Sequence, residues 1–226
     1  MTAPLLRALA EESTAERRKL ILDAAERSFT RSGFHRTTMQ DVAAEAGMST
    51  GNLYRYFPSK DGLVAGLCER DRVGLANEFT EMRESGGDFL AAFRELGKRH
   101  FDDSAFNQAK AKLCLEIWAE AARNPAISTL QCDFDKSFDE QLIAAFEAAK
   151  VHGAIHPDVD VRAVASIISK LGDGLFVRRA LAPDFDAERE VSEVFAVIGA
   201  LLKGAIKVSD SQAKSSDSAS APESTP

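Results

Sequence analysis

The chain has 226 residues, of which 45% are hydrophobic and 28% charged, and its formal net charge is −7. These fractions indicate a soluble globular protein with a sizeable core in one or two domains, and the negative charge argues against a protein that coats nucleic acid indiscriminately. Residues 1–12 contain only short apolar pieces broken by Arg7, and no apolar run reaches the length of a membrane span. We therefore expect a cytoplasmic protein with a flexible arm over residues 1–12.

The first predicted helix begins near Ser13, which forms a capping-box pattern with Glu16. An apolar stripe at helical spacing runs from Leu20 to Phe29, and Gly33 lies where such a helix would end.

A glycine turn then joins two short predicted helices. Thr38 and Asp41 form a second capping-box pattern, and Gly47 supplies the left-handed turn that ends a helix. Ser49 or Thr50 can cap the helix that follows. A helix, a short glycine-bearing turn and a second helix form the helix-turn-helix layout that reads DNA.

The exposed side of the second helix is suited to the major groove of DNA. Thr50 and Asn52 are short polar side chains that can bond to base edges, and Gly51 lets the backbone approach closely. Tyrosines and cations beside them can reach phosphates. The candidate DNA-binding residues are Thr38, Ser49, Thr50, Gly51, Asn52, Tyr54, Arg55, Tyr56 and Lys60. The alternative is a helical hairpin with a solvated polar face, because this geometry also occurs in proteins that bind no DNA.

Residues 17–63 resemble the amino-terminal domain of the TetR family of bacterial transcriptional regulators. The matching segments are Ile21-Leu22-Asp23-Ala24-Ala25, Phe29, Gly33-Phe34, Thr37-Thr38-Met39, Asp41-Val42-Ala43, Ala46-Gly47-Met48-Ser49 and Leu53-Tyr54-Arg55-Tyr56-Phe57-Pro58-Ser59-Lys60-Asp61-Gly62-Leu63. The resemblance implies an all-α homodimer, in which three amino-terminal helices bind DNA and a larger helical domain binds a small ligand and dimerises.

The resemblance also implies roles for individual positions. It makes residues 50–52 the base-contacting segment, and it makes Tyr54, Tyr56 and Lys60 phosphate contacts. It places Thr38 over the DNA backbone at the first helix of the motif. Arg55 occupies a position that varies in the family.

Charge is unevenly distributed along the chain. Residues 13–62 carry eight basic and six acidic side chains, whereas residues 63–226 carry 19 basic and 27 acidic ones. A slightly basic head on an acidic body suits a protein that touches DNA at one end.

We divide the chain into an arm (1–12), a helix-turn-helix head (13–62), a helical body (63–208) and a tail (209–226). We expect the tail to be disordered, since it has no apolar residue larger than alanine.

The body is predicted to be helical almost throughout, and it is rich in phenylalanine. The whole chain has 14 Phe but only 2 Tyr, which suits an apolar cavity for a small ligand and equally an ordinary core. The candidate ligand-binding residues are Phe93, Phe101, Cys114, Trp118, Phe134, Phe138 and Phe176. His100 or Glu116 could orient a polar group of the ligand, or either could be solvated.

Cysteine and histidine are too scattered to indicate a metal site. Cys68, Cys114 and Cys132 form no CxxC pair, so we expect free thiols rather than a disulfide framework or a zinc site. The four histidines match no metal-ligand spacing. The sequence therefore predicts neither a metal nor a cofactor, and no nucleophile–base pair, paired-acid motif or phosphate loop indicates an enzyme.

The last two predicted helices, about 160–181 and 187–206, carry apolar stripes that would form a four-helix bundle with their copies in a homodimer. The stripes could also pack within one chain.

We interpret the protein as a ligand-responsive transcriptional regulator, and as a repressor that binds a near-palindromic operator and is released by a small, largely apolar effector. The alternatives are an all-helical enzyme, and a ligand carrier or adaptor whose head binds protein rather than DNA.

Overall fold

The computed structural model describes residues 3–84, 88–102 and 104–208, and all regular structure in these ranges is helical. The predicted all-α fold, with a helix-turn-helix head and a larger helical body, is confirmed. The helices are α1 (Ala3–Ser32), α2 (Met39–Glu45), α3 (Thr50–Tyr56), α4 (Lys60–Glu84), α5 (Phe89–Phe101), α6 (Ala105–Ala121), α7 (Pro125–Val151), α8 (Val161–Leu181) and α9 (Ala187–Leu202). No helix among these is long and apolar enough to cross a membrane.

The helix boundaries differ from the predicted segments at both ends of the head. Helix α1 begins at Ala3, so the segment that we predicted to be a flexible arm is helical over most of its length. Helix α4 begins at Lys60, so the predicted division after residue 62 falls within the first turn of a helix. The tail that we predicted to be disordered, 209–226, lies outside the described residues.

One apolar cluster holds the head together and continues into the body. Its head members are buried side chains of α1, α2 and α3, among them Phe29, Val42 and Leu53. The same cluster contains buried residues of α4, α6 and α7, including Leu63 and Ile117. The orientation of the head is therefore fixed by packing, because side chains of both parts interdigitate in one core.

Helix α4 lies directly against the head at Gly66. A Cβ atom at this glycine would lie 2.7 Å from Leu22 Cδ2 and 2.9 Å from Phe57 Cε1. Such distances are shorter than van der Waals contact, so only a residue without a side chain permits this approach of α4 to α1 and α3.

A second and larger cluster forms the core of the body. It is rich in phenylalanine: the ring of Phe93 contacts those of Phe79, Phe89, Phe146 and Phe195, with centroid separations between 5.2 and 6.4 Å. Edge-to-face and tilted ring pairs at such distances are the favoured arrangements. Much of the phenylalanine content of the chain therefore belongs to the core.

Candidate DNA-binding surface and ligand cleft

The caps that the sequence predicts for the two short helices are present. At the start of α2, the Thr38 hydroxyl accepts from the Asp41 backbone N–H, and the Asp41 carboxylate accepts from the Thr38 backbone N–H at 2.8 Å. Hydrogen bonds from Thr38 lower the pKa of the Asp41 carboxyl. Gly47 has a φ of +66° between the helices, and Ser49, rather than Thr50, caps α3 by accepting from the Asn52 N–H.

The outer side of α3 is polar and accessible. Leu53 is buried beneath the helix, whereas Gly51, Tyr54 and Arg55 are exposed. The side chains of Thr50, Asn52 and Tyr56 are partly exposed, and Ser49 and Thr38 at the helix starts are exposed. Seven of the nine candidate DNA-binding residues therefore lie on α3 or cap it, and Thr38 caps α2; their contacts with DNA stay predictions.

Lys60, the ninth candidate, is engaged with backbone carbonyl oxygens of the head. Its ammonium donates to the backbone carbonyl oxygens of Phe34 at 2.7 Å, Thr37 at 3.0 Å and His35 at 3.4 Å, and it lies 4.4 Å from the centre of the Phe34 ring. Burial lowers the pKa of the Lys60 amine, against the opposing charge of Asp61 and other carboxylates. These bonds fix the α1–α2 connection, and the phosphate contact of Lys60 stays a prediction.

Glu116 of α6 holds the other side of the same peptide segment. Its carboxylate accepts the Phe34 backbone N–H at 2.5 Å. The approach is tight, since a Cβ atom on the neighbouring Gly33, whose φ is +84°, would lie 2.9 Å from Glu116 Oε1. We call Glu116 and Lys60 the Phe34 clamp, because one accepts its N–H and the other binds its carbonyl oxygen. The sequence offers Glu116 only as a ligand-orienting or solvated side chain, and no local sequence signal indicates its contact with Phe34.

A network of charged side chains also joins α1, α4 and α6. Arg70 of α4 contacts Glu26 at 2.7 Å and Asp23 at 3.2 Å, both on α1. Lys110 of α6 contacts Asp71 at 2.9 Å and Glu26 at 3.5 Å. Burial opposes the charge on Lys110, yet the carboxylates of Asp71 and Glu26 raise its pKa overall. Each cation of the network is thus paired with at least two carboxylates where the head meets the body.

The seven predicted ligand-binding residues do not line one cavity. Phe93 is buried in the body core and Phe138 packs against it. Phe101 and Phe176 pack together elsewhere, with ring centroids 4.9 Å apart. Phe134 borders an open cleft whose lining includes neither Trp118 nor Cys114. Trp118 contacts the Phe176 ring, and burial raises the pKa of the Cys114 thiol to about 12.

The cleft that Phe134 borders lies between α4 and α7 and has a volume of about 540 Å³. Volumes of this size accommodate small molecules. Its lining consists of Ala65, Cys68, Glu69, Arg72, Leu130, Asp133, Phe134, Lys136, Ser137 and Glu140. The lining combines apolar side chains with charges of both signs, which an aromatic composition alone did not predict. Among the described residues, no group of three or more His, Cys, Asp or Glu is placed to hold a metal ion.

Two family models match the chain in succession. Residues 21–67 match the model for bacterial regulatory proteins of the tetR family, and residues 91–203 match the carboxyl-terminal model of BetI-type transcriptional repressors. The first match contains both helices of the motif and the start of α4. The second covers α6 to α9 and most of α5.

Individual proteins show the same likeness. The HTH-type transcriptional regulator BetI of Burkholderia lata is 30% identical over 167 residues, which are 74% of this chain and 83% of that protein. The structure of Salmonella enterica GusR has a TM-score of 0.67 at 27% identity, and the match covers 83% of this chain and 96% of that one. A putative TetR-family regulator from Rhodococcus has a TM-score of 0.71 at 21% identity over 83% and 99% of the two chains, which shows the shared fold.

The matched models cover residues 21–67 and 91–203, and the helix-turn-helix has the caps, turn and accessible polar face that DNA reading needs. The chain belongs to the TetR family of bacterial regulatory proteins, and it is a ligand-responsive transcriptional regulator.

Proposed function

We propose that the protein represses transcription as a homodimer, which places α3 of each protomer in the major groove of one half of a near-palindromic operator. The observation that carries this proposal is the accessible segment Thr50–Asn52 at the start of α3, held in place by the buried Leu53. The amino-terminal residues of a recognition helix are those that contact base edges in helix-turn-helix proteins.

The apolar surface of α8 and α9 supports the homodimer. Val177 and Leu181 lie one turn apart on α8 and are 37% and 70% exposed, and Val197 on α9 is 46% exposed. Gly174 lies on the same face of α8, and a Cβ atom built there meets nothing within 4 Å, so this face is open to a close neighbour. Two copies would bury these side chains in a four-helix bundle.

The proposed dimer sets the geometry of the operator. Two symmetric heads bind half-sites that are related by the same two-fold axis, so the operator should be near-palindromic. The centres of the half-sites should be about 34–36 Å apart or at a multiple of this distance.

We place the effector in the cleft between α4 and α7. The cleft is lined by Ala65 and Cys68 on α4, on either side of the glycine at which α4 rests on the head. A compound that widens the cleft would displace α4 at its contact with the head. Such a compound lowers the affinity for DNA by the ratio of its affinities for the two states. The mixed lining favours an effector with an apolar part against Phe134 and Leu130 and a polar part near the charged side chains.

The experiment is to bind the protein to DNA fragments from the region of its own gene, with and without candidate effectors, at moderate ionic strength. We expect selective binding to one fragment and release by at least one effector. Absence of any fragment preference would contradict regulation and leave a carrier or adaptor as the better interpretation.

A Leu181→Glu variant tests the dimer. It changes a side chain that is 70% exposed in one protomer, so each chain should still fold, while a charge at the proposed seam should prevent dimerisation. We expect sedimentation to show a monomer that no longer distinguishes a full operator from a single half-site. An unchanged dimer would place the interface elsewhere.

A further inference from the structure

Most basic side chains of the head are engaged within the protein. Arg27 and Arg31 of α1 both bind Glu45 of α2, at 2.8 and 2.9 Å. Arg36 donates to the backbone carbonyl of Ser32. With the Lys60 ammonium on the carbonyls near Phe34, the cations available to DNA are fewer than the sequence count indicates.

Arg17, Lys19 and Arg55 are the exception. All three are exposed, and within the part of the chain that the structure describes none has an acidic partner within 4 Å. Arg55 lies on α3 and was already a candidate. Arg17 and Lys19 lie on α1, outside the helix-turn-helix, and no ion pair among the described residues uses their charge.

Arg18 fixes this basic segment of α1 beside α3. Its guanidinium donates to the Tyr56 carbonyl oxygen at 3.0 Å and lies 4.3 Å from the centre of the Phe57 ring. Tyr56 is the last residue of α3, and the carboxyl end of a helix carries partial negative charge that would repel a phosphate. Arg18 offsets that charge and thereby makes this end of α3 compatible with a DNA backbone.

The helical geometry of α1 distinguishes Arg17 from Lys19. With 3.6 residues per turn, the two project to opposite sides of Arg18, each about 100° away. Lys19 shares its side with Asp23 and Glu26, which contact α4 and α6. Arg17 projects toward the opposite side, that of Arg31, whose partner Glu45 belongs to α2. Arg17 is therefore on the helix-turn-helix side of α1 and Lys19 is on the body side.

We propose that Arg17 binds a DNA phosphate next to the carboxyl end of α3, as an additional contact outside the helix-turn-helix. The inference rests on the proposed function. Arginine presents a planar set of donors that matches phosphate geometry, and a backbone contact of this kind fixes the register of the protein on the duplex without reading sequence.

The test compares Arg17→Gln with Lys19→Gln, a variant with the same loss of charge two residues away on the opposite side. Affinity for the identified operator is measured over a range of salt concentrations. We expect Arg17→Gln to lower the slope of log K against log[salt] by about 0.9 for each phosphate released, and to weaken operator and random DNA by the same factor. Lys19→Gln should leave the slope within error of the wild type. Thermal unfolding should be unchanged in both, because neither side chain has an ion-pair or hydrogen-bond partner among the described residues.

Methylphosphonate substitution of single operator phosphates identifies the contact. Neutralising the phosphate that Arg17 binds should weaken the wild type and the Lys19→Gln variant but have no further effect on Arg17→Gln. Equal slopes for the two variants, or equal sensitivity to every neutralised phosphate, would overturn the inference while leaving operator binding intact. Failure of the wild type to bind any operator would instead refute the proposed function, and this inference with it.

Discussion

Replacing Glu116 with alanine should loosen the head from α6 without removing any apolar packing. Phe34 is 3% exposed, and its backbone N–H donates to the Glu116 carboxylate at 2.5 Å. Removing the acceptor leaves this donor without a partner in a poorly solvated place, which costs about 1–3 kcal/mol. Because the apolar cluster beneath the α1–α2 connection is unchanged, the substitution should lower the free energy needed to open this connection locally.

Hydrogen exchange at the Phe34 amide measures this effect directly. Exchange of a protected amide requires local opening, so a loss of about 1–3 kcal/mol should accelerate it by about 5–150-fold. Glu116→Gln keeps a carbonyl acceptor but loses the charge that strengthens the bond, and it should fall between the wild type and Glu116→Ala.

Glu120→Ala is the matched control on the next turn of α6. Glu120 contacts Arg123 at 2.6 Å and lies 3.7 Å from His35. Both of these partners are exposed, and such ion pairs contribute little. The Phe34 amide should exchange at the wild-type rate in this variant. Unchanged exchange in Glu116→Ala, or equal acceleration in both variants, would refute the clamp as the contact that holds the head.

Three further predictions concern the head. Gly66→Ala should lower the free energy of unfolding by about 1–3 kcal/mol through overpacking, measured by denaturant unfolding, whereas Gly62→Ala, whose Cβ would meet no atom closer than 3.4 Å, should not destabilise. Asn52→Ala should reduce discrimination between operator and random DNA by about 1–3 kcal/mol, and equal losses on both DNAs would contradict base reading. Asp41→Asn should be less stable than the wild type at neutral pH. Because Thr38 lowers the folded pKa of Asp41, the unfolded chain binds more protons below the usual value of 3.8, so this difference should shrink as the pH falls through the folded pKa.

The parts of the head that could be predicted are those fixed by neighbours in sequence. The Thr38–Asp41 cap, the turn at Gly47 and the Ser49 cap each depend on hydrogen bonds or backbone angles within a few residues. Such local preferences are determined by the residue types themselves. The buried position of Leu53 followed from helical spacing in the same way.

The parts that could not be predicted depend on contacts between distant segments. Glu116 and Phe34 are 82 residues apart, and nothing near either residue indicates that they meet. Lys60 has the sequence position of a phosphate contact, but the arrangement of α1 and α2 brings the carbonyl oxygens of Phe34 and Thr37 to it first. The position of the Lys60 ammonium therefore depends on which acceptors tertiary packing brings within reach.

The aromatic candidates for the ligand site do not surround one cavity, and the reason is related. Helical spacing shows that a phenylalanine faces inward, but it does not distinguish a packed core from a cavity wall. Phe93 has four ring neighbours and no free face for a ligand, whereas Phe134 borders open space. The difference arises from how closely α4 and α7 approach along their length, which depends on every side chain between them.

Two helices of the body jointly set the orientation of the head. A ligand in the proposed cleft could therefore change the position of the DNA-binding surface by moving one of these helices. Helix α4 contacts the head closely at Gly66, and α6 binds it through the Phe34 clamp and Lys110. In the proposed mechanism, a ligand between α4 and α7 would displace the contact at Gly66 but not the contact with α6, so the head would either turn or lose its contact with α6. Breaking one such contact costs about 1–3 kcal/mol, which is the size of a typical coupling free energy between sites. We therefore expect the Phe34 clamp to be strong enough to transmit a displacement of α4 and weak enough for the binding of one ligand to break it.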